Sequence, residues 1–474
     1  MAVNRRGVAL MSSAHVVDDL YQGAVPALLP FLVAERHYSY AAVAGLTLAA
    51  TVLSSVAQPA FGWWTDRRSR RWMIPAGMLT AGIGVGLAGL WSNYVLTWLV
   101  IALSGLGVAA FHPEAARAAR QASGNSNRAM SLFALGGNGG FAVGSLIATP
   151  VLLLAGLRGT VLLVVPAVVM TVLLVSKLDT VLDGRAGQRR KHALPSGDDD
   201  WPAFARLTAV VVVRSVLFFG ISSFLALYFI QGLGASQAAG GAALTVFLFA
   251  GAGGTLLGGW VADRWGRLMS IRIGLVLTVP GLLGLVLAPI PATALPFVVL
   301  TGVGCFMPFS VFVVLGQDYL PNRIGTASGV TVGLAVSVGG LFSPVFGWLA
   351  DTTSLRFMLS TFIALPILAL LLSGLMHDPA KRRPAGDAAR CQTRIAVAAR
   401  KLGLIHADIA VACPSPTKRS PSTAECPTST TTQSTSPPPE PCPSGCPKPS
   451  GQTVPATNNN PATPPPARPP EANP

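Results

Sequence analysis

Charge is what this sequence is short of. Of its 474 residues only 11% are Asp, Glu, Lys or Arg, against about 25% in an ordinary soluble domain. Cysteine is nearly absent where the chain is apolar: Cys305 stands there alone, and the other cysteines lie beyond residue 385. They are read as neither a metal set nor a disulfide framework, and no cofactor is expected. No nucleophile–base pair stands out, which argues against an enzyme. The net charge of +15 sits in short loops between apolar runs, not on one face of a soluble domain, so nucleic acid is not an expected partner.

What the chain has in plenty is apolar length. Half of it is hydrophobic, with a mean hydropathy of +0.55. A membrane-spanning helix needs about 20 mostly apolar residues. Twelve runs qualify, at 8–33, 41–63, 72–91, 95–116, 129–155, 159–177, 207–230, 238–261, 268–288, 294–317, 326–349 and 356–376. The first carries Asp18 and Asp19 after Arg5 and Arg6, which suits a retained span better than a cleaved signal. The expected fold is therefore an all-α membrane protein of twelve transmembrane helices. Two six-helix bundles, 1–177 and 207–377, are joined by a hydrophilic cytoplasmic loop at 178–206. Residues 378–474 turn rich in Pro, Ser and Thr and lose apolar periodicity, so this tail is expected to be disordered.

One stretch occurs twice. Gly62–Arg71, GWWTDRRSRR, returns as Gly259–Leu268, GWVADRWGRL, at an offset of 197 residues. In each copy a carboxylate, Asp66 or Asp263, directly precedes Arg67 or Arg264. A fixed-offset repeat makes the two bundles pseudo-symmetric and supplies a ruler for comparing them. Lys and Arg crowd alternate loops, leaving Arg36, Arg158 and Arg356 on the opposite side. The positive-inside rule then places both termini in the cytoplasm. Gly136, Gly140 and Gly144 recur every four residues on the fifth run, as do Gly82 with Gly86 and Gly254 with Gly258, a spacing that lets membrane helices approach closely.

Ionisable residues inside apolar runs are the candidates for function. In the first run His15, Asp18, Asp19 and Gln22 are spaced by three and four and share one side of a helix. Asp18 and Asp19 differ by about 100° in direction, so at most one points straight at a central cavity. The ruler lays Asp18 on Ser215, beside Arg214, the only basic residue well inside an apolar run. Arg214 stays charged and needs an anion: Asp18, Asp19, Glu114 or a solute. As a structural ion pair it would hold the halves together; as a site it would bind an anionic substrate. His112, Pro113 and Glu114 map to Phe309, Ser310 and Val311, so the second half lacks their chemistry. Pro113 disfavours helical geometry at His112. Asn138 maps to Ala335 and is read either as a substrate donor or as a bond between helices.

The paired loops, Gly62-x-x-x-Asp66-Arg67-x-x-Arg70-Arg71 and its second copy with Gly266, resemble the cytoplasmic loop signature of the major facilitator superfamily. Further stretches resemble its fosmidomycin resistance group: His15 with Asp19, Gln58-Pro59, Phe111-His-Pro-Glu114 with Arg117 and Arg120, Gly136-Gly-Asn138, Arg214-Ser215 and Gln317-Asp-Tyr-Leu-Pro321. The likeness covers about residues 10–375. It implies two rocking halves with a midplane site and proton-driven export of a small drug or organic anion, fosmidomycin being the group's namesake substrate. It also implies a monomer in the cytoplasmic (inner) membrane, with a small molecule, protons and the lipid bilayer as partners. In that frame Asp18 or Asp19, with His15 and Gln22, carries the proton. Arg214 anchors an anion, Asn138 contacts substrate, and His112 and Glu114 form an inner gate or relay. Gly62, Asp66, Arg67, Arg71, Gly259, Asp263, Arg264 and Arg267 make up the conformational gate motif. Two other readings stay open: an uptake carrier for an organic anion or metabolite on the same scaffold, and an interaction protein whose bundle anchors the Pro-rich tail.

Overall fold

Apolar runs without water to satisfy their peptides fold as helices, because each N–H and C=O must then be paired within its own segment. The computed structural model describes residues 3–67, 69–124, 126–182, 198–323, 326–327, 330–331 and 335–378, and these are helical almost throughout. In chain order the helices are α1 (Arg5–Arg36), α2 (Tyr40–Arg67), α3 (Met73–Leu87), α4 (Tyr94–Ser123), α5 (Asn127–Ala155), α6 (Val164–Leu182), α7 (Trp201–Leu227), α8 (Gln237–Trp265), α9 (Arg267–Leu287), α10 (Pro291–Phe306), α11 (Phe309–Tyr319), α12 (Ala335–Thr352), α13 (Leu355–Thr361) and α14 (Ala364–Gly374). A 3₁₀ segment leads into α6 and a π turn closes α7. Side-chain oxygens start several of them: Asn4 accepts from Gly7 N, Ser126 from Ala129 N, Asp200 from Ala203 N and Ser236 from Ala239 N. Each satisfies an N–H that the helix itself leaves orphaned.

Among the described residues ten helical spans are long and apolar enough to cross a membrane, α10 with α11 and α13 with α14 each counting as one. This is a multi-pass membrane protein. Of the expected twelve runs, the third is realised by α3, which is only 15 residues long and gives way to turns at Ala88 and Leu90. The eleventh is described without interruption only from Ala335, and residues 379–474 lie outside the described residues. The tenth run is not one straight helix. It breaks at Met307–Pro308, where proline has no N–H to give. Pro113, by contrast, leaves α4 continuous through to Ser123. The expectation of non-helical backbone at His112 is thus corrected: α4 carries Pro113 inside it without a break.

The glycine stripes set the packing. An added Cβ on Gly136 would stand 2.7 Å from the Ser12 carbonyl oxygen and one on Gly140 2.6 Å from that of Val16, while Gly144 abuts Leu20. Backbone therefore lies on backbone along α1 and α5. Gly254 and Gly258 do the same for α8 against α10 and the turn after it. The central helices α1 and α7 bury most of their length, whereas the outer helices leave large apolar side chains such as Val175, Leu154 and Leu371 exposed. An apolar exterior of that extent fits lipid, not water.

Candidate functional site

A cavity of about 340 Å³ lies between the two sets of helices, within the size range of small-molecule sites. From α1 it receives His15, Asp19 and Gln22; from α2 Ser54, Ser55 and Gln58; from α4 His112; from α5 Asn138. From α7 come Arg214, Ser215, Phe218 and Phe219, and from the broken α10–α11 segment Phe306, Phe309 and Phe312. Helices α1, α2, α4 and α5 thus supply most of the polar groups, and α7 with the α10–α11 segment an arginine framed by phenylalanines. Asp18 does not line the cavity. It is fully buried behind the wall, as the 100° offset from Asp19 requires.

The histidines meet at one point. His15 Nδ1 lies 2.8 Å from the Phe133 carbonyl and His112 Nδ1 2.9 Å from that of Val108. A carbonyl oxygen only accepts, so each Nδ1 carries the hydrogen and donates it. In a neutral ring the other nitrogen, Nε2, is then a bare acceptor. The two Nε2 atoms face each other at 3.3 Å. Asp19 closes the triangle, with Oδ2 3.3 Å from His15 Nε2 and Oδ1 3.5 Å from His112 Nε2. Three acceptors converge with no hydrogen among them, an arrangement that one added proton satisfies. His15 is braced further by stacking on Phe133, with ring centroids 4.2 Å apart. Behind them, Asp18 Oδ2 is 3.4 Å from His112 Nδ1, whose hydrogen is already committed to Val108. That contact is electrostatic, and neither Asp18 oxygen has a hydrogen-bond partner. The donor atoms of His15, Asp19 and His112 lie within 4.8 Å of one another, so the same three would also accommodate a metal ion.

Arg214 is built differently. Its Nε donates to the Cys305 carbonyl at 2.8 Å, just before the break that ends α10. The guanidinium carbon lies 5.1 Å from the ring centroids of Phe218 and Phe306 and 5.4 Å from Phe309, within cation–π range. Nη2 has no hydrogen-bond partner. Among the described residues no carboxylate pairs with Arg214, although the side chain is only 5% exposed. The acid partners that the sequence offered, Asp18, Asp19 and Glu114, are all placed elsewhere.

Glu114 is buried and holds the first repeated loop. Its Oε1 accepts from the Ser69 hydroxyl and, at 3.1 Å, from Arg70 N, while Arg117 Nε approaches Oε2 at 3.8 Å. Ser69 thus does more than replace a glycine. Its counterpart Gly266 adopts φ +98°, a conformation that favours glycine, and Ser69 does not. The second loop is fastened by Arg267 to Asp318, and Arg71 reaches Asp179 at 3.1 Å. Asp318 lies well beyond Val311, the counterpart of Glu114, so each loop is held by an acid from a different turn of the equivalent segment. Asp263 and Arg264 are exposed, and the side chains of Asp66 and Arg67 lie outside the described residues. Gly62 and Gly259 face open space.

The family model of the Major Facilitator Superfamily matches residues 11–344. The chain belongs to the Major Facilitator Superfamily. This transporter is 31% identical over 368 residues to the fosmidomycin resistance protein of Escherichia coli (strain K12), a match spanning 76% of this chain and 90% of that one. It is 30% identical over 379 residues to the uncharacterized MFS-type transporter YfnC of Bacillus subtilis (strain 168), covering 78% and 92%. The fold is similar to the crystal structure of a bacterial homologue of the human lysosomal transporter Spinster, in an inward-facing and unoccupied conformation. There the TM-score is 0.66 at 14% identity, with 78% and 96% coverage. This superfamily member is a transporter, not an enzyme. Phe133, Phe218 and Phe306 are among the parts of its site that sequence reasoning missed, with Ser54, Ser55, Phe219 and Phe312. Phe133 serves through its backbone carbonyl as well as its ring, and in the sequence all of the phenylalanines read as ordinary core residues.

Proposed function

We propose that this protein exports small organic solutes, anionic ones foremost, in exchange for protons. In this reading twelve spans in two six-helix halves cross the cytoplasmic membrane as a monomer, with both termini inside. The observation that carries the proposal is the convergence of His15 Nε2, His112 Nε2 and Asp19 on one point in the cavity wall, where the three can share a proton. A proton taken there from outside and released inside supplies the driving force. Arg214, with an unpartnered Nη2 and an aromatic surround, receives the negative group of the solute. The similarity to a fosmidomycin resistance protein supports export and makes fosmidomycin the first solute to test.

In inside-out vesicles carrying the full chain, an imposed pH gradient should drive fosmidomycin accumulation, and collapsing that gradient should abolish it. Accumulation that survives the collapse rules out proton coupling. Gradient-driven loss of preloaded fosmidomycin from these vesicles makes the protein an uptake carrier.

A further inference from the structure

The contacts that close the cavity off lie toward the N-terminal end of α2. Thr47 Oγ1 and Ser223 Oγ are 3.0 Å apart, as are Ser145 Oγ and Thr245 Oγ1, each pair joining one half to the other. Farther out on this side is Asp351, near the C-terminal end of α12. Its Oδ1 accepts from Tyr40 N at 2.8 Å and its Oδ2 from Ala41 N at 2.9 Å.

Both ends of this contact are accounted for. In the first turn of α2, Ser39 Oγ takes Ala42 N and the Ser39 carbonyl takes Val43 N, so Tyr40 and Ala41 hold the two N–H groups left over. A helix N-terminus carries positive partial charge and a C-terminus negative, so Asp351 is at the unfavourable end of its own helix and the favourable end of α2. Gly347 allows the approach: a Cβ there would lie 2.5 Å from the Tyr40 carbonyl oxygen and 2.6 Å from Ala41 Cα.

The repeat sharpens the point. At the offset of 197 residues, Asp351 falls back on Leu154 at the end of α5, and Ser39 falls forward on Ser236 at the start of α8. The serine cap is present in both halves, with Ser236 Oγ accepting from Ala239 N. The carboxylate is present in one, since Leu154 is 89% exposed and has nothing to offer an N–H. Packing two similar halves does not require Asp351. We infer that Asp351 is a positioning residue for the transport cycle, a one-sided latch from the second half to the α2 N-terminus that holds the outer side shut and must let go for it to open.

This rests on the alternating-access reading and on its orientation. The test uses the full chain in vesicles of both orientations, with Ala50→Cys at the small void on the closed side and Val313→Cys in the central cavity. A membrane-impermeant maleimide is the probe, and the labelled peptide is identified by mass so that tail cysteines do not confuse the reading. With Asp351→Asn, Ala50→Cys should label about three- to tenfold faster from outside, as loss of a charge at a helix terminus implies. Val313→Cys should label more slowly from inside. Asp351→Glu should restore both rates toward those of the parent. Unchanged rates overturn the latch, and so does a rise at both positions together, which marks general loosening. If the orientation alone is wrong, Ala50→Cys reacts from the inner side in parent and variant alike. A rise on Asp351→Asn still supports the latch in that case.

Discussion

Replacing Asp19 by asparagine removes one corner of the triangle and leaves the two imidazoles with only each other for the shared proton. The amide would offer one nitrogen that donates, so the proton is no longer needed to satisfy the site. Uptake driven by a pH gradient in inside-out vesicles should therefore fall about tenfold or more, the scale of losing a charge-assisted bond. Exchange of solute for solute, which needs no net proton movement, should persist. If exchange is lost to the same extent, Asp19 binds solute instead of proton. A chelator should leave both activities unchanged, whereas loss of transport that zinc restores would make the trio a metal site. Arg214 gives the opposite signature. An unpaired buried cation is a cost to the fold, so Arg214→Met should keep or raise the thermal unfolding temperature. The same change should weaken binding of an anionic solute about tenfold or more, since hydrogen bonds to charged groups contribute about 1.5–3 kcal/mol. Lower stability with unchanged binding would make the arginine a structural brace.

At the scale of elements, the glycines of α5 separate packing from chemistry. A Cβ on Gly140 would stand 2.6 Å from Val16 O and 2.8 Å from Asp19 Cβ, while one on the neighbouring Gly139 meets nothing within 4 Å. Gly140→Ala should thus cost about 1–3 kcal/mol by overpacking and displace Asp19, lowering both the unfolding temperature and transport. Gly139→Ala should be silent in both measurements. Equal effects of the two would mean that α5 is not seated on α1 as described. This contact was legible beforehand, because four-residue spacing of glycine translates directly into one smooth helix face. Helix continuity was less so. Pro113 stays inside α4 while Pro308 marks a break, and the sequence alone offers no way to tell which of the two a helix will absorb. The break matters: the Cys305 carbonyl just before it receives Arg214.

Across the whole molecule, the repeat pointed to two related halves and singled out Asp18, His112, Glu114, Asn138 and Arg214 as unshared. The same comparison contained Asp351, whose counterpart is Leu154, but an acid at the end of an apolar run reads as an ordinary loop residue until its partner is seen. Nor does the offset say which groups meet. It suggested an acid for Arg214, and phenylalanines and a carbonyl took that place, because pairing between halves depends on how the bundles lean together. That lean must change during transport if the cavity is to be reached from both sides in turn. Thr47 and Ser223, 3.0 Å apart through their hydroxyls, report on it directly, since cysteines in their places would lie close enough for a disulfide. Oxidising the double variant Thr47→Cys with Ser223→Cys should bring transport down to the level of empty vesicles, and reductant should restore it. The single cysteines should not respond to either reagent. Transport that continues while the cross-link is complete would exclude opening along this seam and leave the cavity's second exit to be sought between other helices.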